Sequence, residues 1–303
     1  MRKIFERTFQ TTLKLVNIIV CFVVALICGL IISVVYYYGS FASFTGILND
    51  IVALQNIIFF FVLTGILLMV VTISTFTGLI AGEVHEGTIK LLATKSNSRI
   101  EILLAKVLGG FAGMTVLLVE IIMVYFATIN ISGVFDSNIL LELAKYIPSY
   151  FLYGLFIVFN FGALATLLSC IFKKKVLALL PLLAFSIIIV SYYPMIRTAL
   201  DLLNEGGSFS ALFDFNYQLA LIFKSCISIV GPIKGNEEQL MMYSYFTKLF
   251  VTKVVDNDIS KNEYEILIVE NNALNCYVTL AAYLLISIGC YVGSIFIFKK
   301  KDL

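Results

Sequence analysis

The stretch AGEVHEGTIKLLATKSNSRIEILLAK, residues 81–106, decides how the rest of the chain is read. It holds Glu83, Glu86, Lys90, Lys95, Arg99, Glu101 and Lys106, together with His85, the chain's only histidine. Apolar runs flank it on both sides, each long enough for a spanning helix, which needs about 20 mostly apolar residues. A charged block between two such runs reads as the polar connection of a membrane hairpin. Glu83 to about Thr94 can form a short helix, with Ser96-Asn97-Ser98 as its break. Ser98 then caps the next helix, and Glu101 three residues on completes a capping box.

The composition agrees with a bilayer as solvent. The chain has 303 residues, 60% of them hydrophobic and 13% charged, with a mean hydropathy of +1.00. A soluble domain is nearer one quarter charged and would need that share to cover its surface. The net charge of +2 is too small to suggest nucleic acid, and the basic residues fall in small clusters rather than on one face. The six cysteines form no CxxC pair, and with one histidine they offer no zinc site. Cys226 and Cys276 fall in the same connection and at its end, where a disulfide is conceivable.

Six segments qualify as spans: about 15–38, 56–80, 103–129, 149–172, 176–195 and 273–298. The first exceeds the apolar core of a signal peptide and reads as an uncleaved span. Basic residues set the orientation. Arg2, Lys3, Arg7 and Lys14 precede span 1. Lys90, Lys95 and Arg99 lie between spans 2 and 3, Lys173-Lys174-Lys175 between spans 4 and 5, and Lys299-Lys300-Lys301 after span 6. The alternate loops are poor in them: 39–55 has none and 130–148 only Lys145. Both termini are therefore expected in the cytoplasm, and the connection 196–272, more acidic than basic, outside.

Within that connection, residues 211–232 are apolar enough to tempt a seventh span. Asp214, Asn216, Gln218 and Lys224 would then be buried, and the terminal lysines would end outside, so a re-entrant or surface-lying segment is expected. An amphipathic helix is expected over NEEQLMMYSYFTKLFVTKVV, from Asn236, and a strand near 263–270. At the N-terminus Ile4, Phe5, Thr8, Phe9, Thr12, Leu13 and Val16 share one helical face while Arg2, Lys3, Glu6, Arg7, Gln10, Thr11 and Lys14 share the other. That pattern reads as an interfacial helix over 1–14.

These residues contain no GxxxxGK[ST] phosphate loop, no HExxH and no GxSxG. No catalytic residue and no metal site is expected. Two polar groups inside spans stand out as possible pathway or helix-packing residues. Glu120, near the middle of span 3, costs at least ~2.5–3.5 kcal/mol if ionised in lipid. Asn160 in span 4 reads more readily as packing glue.

The pattern Glu83-x-x-x-Gly87-Thr88-Ile89-Lys90-Leu91-Leu92, followed by Ser98-Arg99-x-x-Ile102-Leu103-x-Ala105-Lys106, resembles ABC-2 type permeases, the membrane subunits of ATP-binding-cassette exporters. The closing FIFKKKDL is similar to the ends of bacterial members that handle antimicrobial peptides and drugs. A proline is common in the family just before the Ser-Arg pair; here Ser96 and Asn97 occupy that region. The resemblance implies an all-α polytopic membrane protein of the bacterial plasma membrane. Its parts would be an interfacial helix (1–14), spans 1–5 (15–195), an outer element (196–272) and span 6 with a basic tail (273–303). It implies a coupling helix at 83–94 seated in a groove of a separate ABC ATPase, with Glu83, His85, Glu86, Gly87, Thr88, Lys90, Leu91, Arg99 and Lys106 serving that coupling. Two ATPase copies would bind ATP and Mg, this chain holding no cofactor, and a second permease, the same or related, would complete the assembly. The implied cargo is an amphipathic or hydrophobic molecule, such as an antimicrobial or toxin peptide or a lipophilic drug. An immunity or sensing permease acting on peptides at the outer leaflet, and an ATP-independent channel or secondary transporter, are the alternatives.

Overall fold

The computed structural model describes residues 1–38, 44–85, 98–197, 211–233, 237–258 and 263–300. Helix α1 (Arg2–Thr12) leads into α2 (Leu15–Tyr38). Residues 44–85 run as one helix, α3, in which π-helical turns occupy Ile58–Leu68 and Gly78–Gly82. Then come α4 (Arg99–Ile131), the short α5 (Ser137–Ala144), α6 (Ile147–Ile171) and α7 (Lys175–Arg197). Helices α8 (Phe215–Ile227) and α9 (Glu237–Thr247) precede an antiparallel hairpin of β1 (Phe250–Asp258) and β2 (Glu263–Glu270). The long α10 (Cys276–Lys300) follows. Among the described residues six helices are long and apolar enough to cross a membrane and the strands form one small hairpin; the chain is an all-α multi-pass membrane protein.

Helices α2, α4, α6, α7 and α10 start within about a turn of where hydropathy places their spans. The exception is α3, already helical at Phe44, whereas 39–55 reads as a loop. Hydropathy penalises Asp50, Gln55 and Asn56, but each finds a protein partner. Gln55 Nε2 donates to the Tyr150 hydroxyl at 2.8 Å, which donates to Asn56 Oδ1 at 2.7 Å. Asn56 Nδ2 donates to the Tyr243 hydroxyl at 3.0 Å, and Gln239 bonds Asp50. This buried network seats α9 and α6 on the first turns of α3.

Helices α3 and α6 form the centre of the bundle. Phe59, Leu63 and Phe76 of α3 are buried against Tyr150, Tyr153 and Ile157 of α6 and Met114, Leu117 and Tyr125 of α4. Phe59 stacks on Tyr150 with ring centroids 3.7 Å apart. Helices α2, α7 and α10 turn Val20, Phe22, Leu177, Leu180, Leu285, Ile286 and Phe296 outward. An apolar surface of that extent requires lipid or another subunit against it.

The faces read in α1 hold: Ile4, Thr8 and Thr12 are buried, while Arg2, Lys3, Glu6 and Arg7 are exposed. The inner face lies on α4. Ile4 packs with Ile102 and Ala105. Further along, glycines 109 and 113 let the two helices touch. A Cβ at Gly113 would lie 2.6 Å from Thr12 Cβ, and one at Gly109 2.8 Å from the Phe5 carbonyl oxygen.

At the far end, α8 resolves the ambiguity over 211–232. Its 13 residues measure about 20 Å, too short for a ~30 Å hydrocarbon core. Its residues Asn216 to Phe223 are all buried, so it is inserted into the protein rather than lying on a surface. Gln218 accepts a bond from Tyr283 of α10 at 3.0 Å, and Phe223 packs on Tyr153 and Phe60. Asp214 caps α8 by accepting from the Tyr217 amide at 2.9 Å and pairs with buried Arg197 at 3.3 Å. The helix expected from Asn236 stops at Thr247. Lys248 takes φ +55°, a turn few side chains adopt, and the β-branched residues beyond it form β1. Lys224 of α8 bonds Glu270 of β2 at 2.8 Å, which ties the hairpin to the bundle. Cys226 and Cys276 are free thiols.

Candidate functional site

The charged block begins where α3 ends. The last turns of α3 are π-helical over Gly78–Gly82, and a side chain of α6 accounts for this. The Ser169 hydroxyl accepts from the Ala81 amide at 2.8 Å and donates to the Thr77 carbonyl at 3.1 Å. In an α-helix that amide and that carbonyl would bond each other, so Ser169 stands inserted in the helical ladder. The end of span 2 is thereby spliced to span 4.

One turn on, Glu83 meets Lys106. Lys106 is 1% exposed, and its ammonium pairs with the Glu83 carboxylate while donating to the Leu79 carbonyl at 2.7 Å. A cation taken out of water is costly unless paired and hydrogen-bonded, and Lys106 is both. The pair bolts the end of α3 to the third turn of α4. The start of α4 is held as the sequence suggests. The Ser98 hydroxyl accepts from the Glu101 amide at 3.2 Å and the Ser98 amide donates to Glu101 Oε2 at 3.4 Å, closing the capping box. Arg99 Nη1 donates to the Lys299 carbonyl at 3.1 Å, which joins α4 to the last turn of α10.

The structure therefore brings Glu83 and Lys106 together, and places Arg99 two turns earlier on α4, against α10. His85 closes the described helix, and Glu86, Gly87, Thr88, Lys90 and Leu91 lie outside the described residues. Lys106 and Glu83 were each legible in the sequence, but not as a pair. Ser169 and the Leu79 carbonyl were missed, because a serine in an apolar helix looks like any packing residue. Signals that bear on the pair were present: a lysine two turns inside an apolar helix needs an acid, and the end of the preceding span offers one.

The two remaining residues sit apart from this cluster. Glu120 is half-buried on α4, close to Cys21 of α2, and makes no hydrogen bond among the described residues. Asn160 donates to the Phe156 carbonyl at 2.8 Å and accepts from the Ser287 hydroxyl at 2.5 Å, so it joins α6 to α10. It also lines an apolar cavity of about 360 Å³ with Phe185, Ile189, Leu219, Tyr283 and Ile286. Among the described residues no group of His, Cys, Asp or Glu is arranged to hold a metal.

The family model for the ABC-2 family transporter protein matches residues 71–303, more than half of the chain and everything from the middle of α3 onward. No curated protein matches it.

Proposed function

The chain belongs to the ABC-2 family of transporter proteins and is the membrane permease of an ABC transporter that works with an ABC ATPase; from that premise we propose an ATP-driven exporter. In this reading the ATPase presses on residues 83–94, and the observation that carries it is the Glu83–Lys106 pair. Because that pair and the capping box fix both flanks of the block, a push on it cannot bend one helix alone. It moves the roots of α3 and α4 together, and through Ser169 and Arg99 those of α6 and α10.

ATP and Mg are bound and hydrolysed in the partner, two copies of which engage two permeases. The termini and the lysine-rich connections face the cytoplasm, and α8, α9 and the hairpin face outward. The cargo is amphipathic or hydrophobic, a peptide or a lipophilic drug. The apolar cavity beside Asn160 and the outward-facing aliphatic surfaces support that class.

The test is purification of the tagged chain in mild detergent, followed by ATP-dependent uptake of a fluorescent amphipathic peptide into everted vesicles. A stoichiometric ATPase should accompany the chain and be lost in the Glu86→Lys/Lys90→Glu variant but not in Lys145→Gln. Uptake should need ATP. Uptake that persists without ATP, or a chain that purifies without any ATPase from intact complexes, would sink the exporter reading.

A further inference from the structure

A second charged site lies beside the first and has no part in the coupling argument. Arg7 of α1, Lys14 in the turn that leaves it, and Lys175 at the start of α7 converge on a cavity of about 400 Å³. Its floor is the polar stretch of α3 that includes Thr75 and Gly78. Lys175 Nζ lies over Gly78, 3.5 Å from where a Cβ would stand.

Among the described residues none of these three cations has a hydrogen-bond or ion-pair partner. Among the described residues the acid at the rim is Glu83, and it is engaged with Lys106. Three cations from three elements, without a partner among the described residues, repel each other around one polar cavity, and an anion between them removes that repulsion. The chemistry also says which anion. The first turns of α2 and α7 leave this cavity with Leu15, Val16, Ile19, Val176, Leu177 and Leu180 exposed, so a phosphate seated here has apolar walls for acyl chains. Among the described residues no free carboxylate lines the cavity to receive the ammonium of a zwitterionic headgroup.

We propose that this cavity binds an anionic phospholipid, its phosphate held by Arg7, Lys14 and Lys175 and its chains lying along α2 and α7. The proposal is independent of the exporter reading and of which leaflet the site faces.

Native mass spectrometry of the full chain in detergent, titrated with phosphatidylglycerol, phosphatidylcholine or inorganic phosphate, tests it. Phosphatidylglycerol should bind in preference to phosphatidylcholine. Arg7→Gln, Lys14→Gln and Lys175→Gln should each weaken it roughly fivefold, the worth of one cation near an anionic headgroup. The triple control Lys173→Gln/Lys299→Gln/Lys300→Gln removes three charges outside the cavity and should leave binding unchanged. Equal retention of phosphatidylcholine, or an equal loss in the control, overturns the proposal. Displacement of the lipid by equimolar inorganic phosphate would do so too, since it would mark a site for a soluble anion.

Discussion

A lysine with 1% of its surface exposed is tolerable only beside a counter-charge, and for Lys106 that charge comes from 23 residues earlier in the chain. The two partners are not equivalent. The Glu83 side chain keeps 22% of its surface exposed, so it can take water when its partner goes; Lys106 cannot. Glu83→Ala should therefore destabilise by about 3 kcal/mol, the lower range for stranding a buried charge. Lys106→Met should cost clearly less. Their combination should be more stable than Glu83→Ala alone, because the double variant has no buried ammonium left to strand. Thermal unfolding of the detergent-solubilised chain reads all three. Strictly additive losses, or Lys106→Met as damaging as Glu83→Ala, would show that the pair does not hold the helices. The sequence singles out both residues because charge in an apolar chain is conspicuous. It does not pair them, since lysines near membrane ends are common and only the crossing of α3 and α4 selects this one.

Among the elements, α3 departs most from what its residues suggest, at both ends and for one reason. Hydropathy counts a buried polar group as a cost, while packing can turn it into a joint. At the far end Gln55 and Asn56 are joints to Tyr150 and Tyr243. At the near end the Ser169 hydroxyl replaces a rung of the helical ladder. Neither is visible in a linear pattern, because both partners come from other spans. Ser169→Ala should leave the Ala81 amide buried without its acceptor, at a cost of about 1–3 kcal/mol, and loosen the helix there. Hydrogen exchange over residues 78–82 should quicken in Ser169→Ala and stay near the parent rate in Ser169→Thr, which keeps a hydroxyl. Unchanged exchange in the alanine variant would mean that α3 holds its π-helical turns without help from α6. The N-terminal helix is the opposite case. Its two faces are explicit in a period of 3.6, and the structure adds only that α4 offers glycines 109 and 113 to receive the inner face.

For the molecule as a whole, the spans were legible because about 20 apolar residues in a row have few other uses, and the number and order of the helices follow from counting them. The region 196–272 was less so. A short buried helix such as α8 and a true span have the same composition, and the distinction rests on its length and on the polar residues at 214–218, which find partners in α7 and α10. The orientation of the bundle rests on charge. Lys173-Lys174-Lys175 and Lys299-Lys300 lie at one end, whereas the connection before α6 has only Lys145, and that lysine is paired with Glu142. The positive-inside bias acts on short, lysine-rich connections such as the first set, whereas a connection as long as 196–272 crosses largely regardless of its charge, so the bias favours the lysine end in the cytoplasm. Single cysteines at Lys174 and Glu237, both exposed, convert this into an experiment in a Cys226→Ala/Cys276→Ala background. A membrane-impermeant maleimide should label Glu237→Cys on intact cells and reach Lys174→Cys only after permeabilisation. The reverse pattern would place the Glu83–Lys106 joint outside the cell, where no ATPase could press on it, and the exporter reading would fail with the orientation.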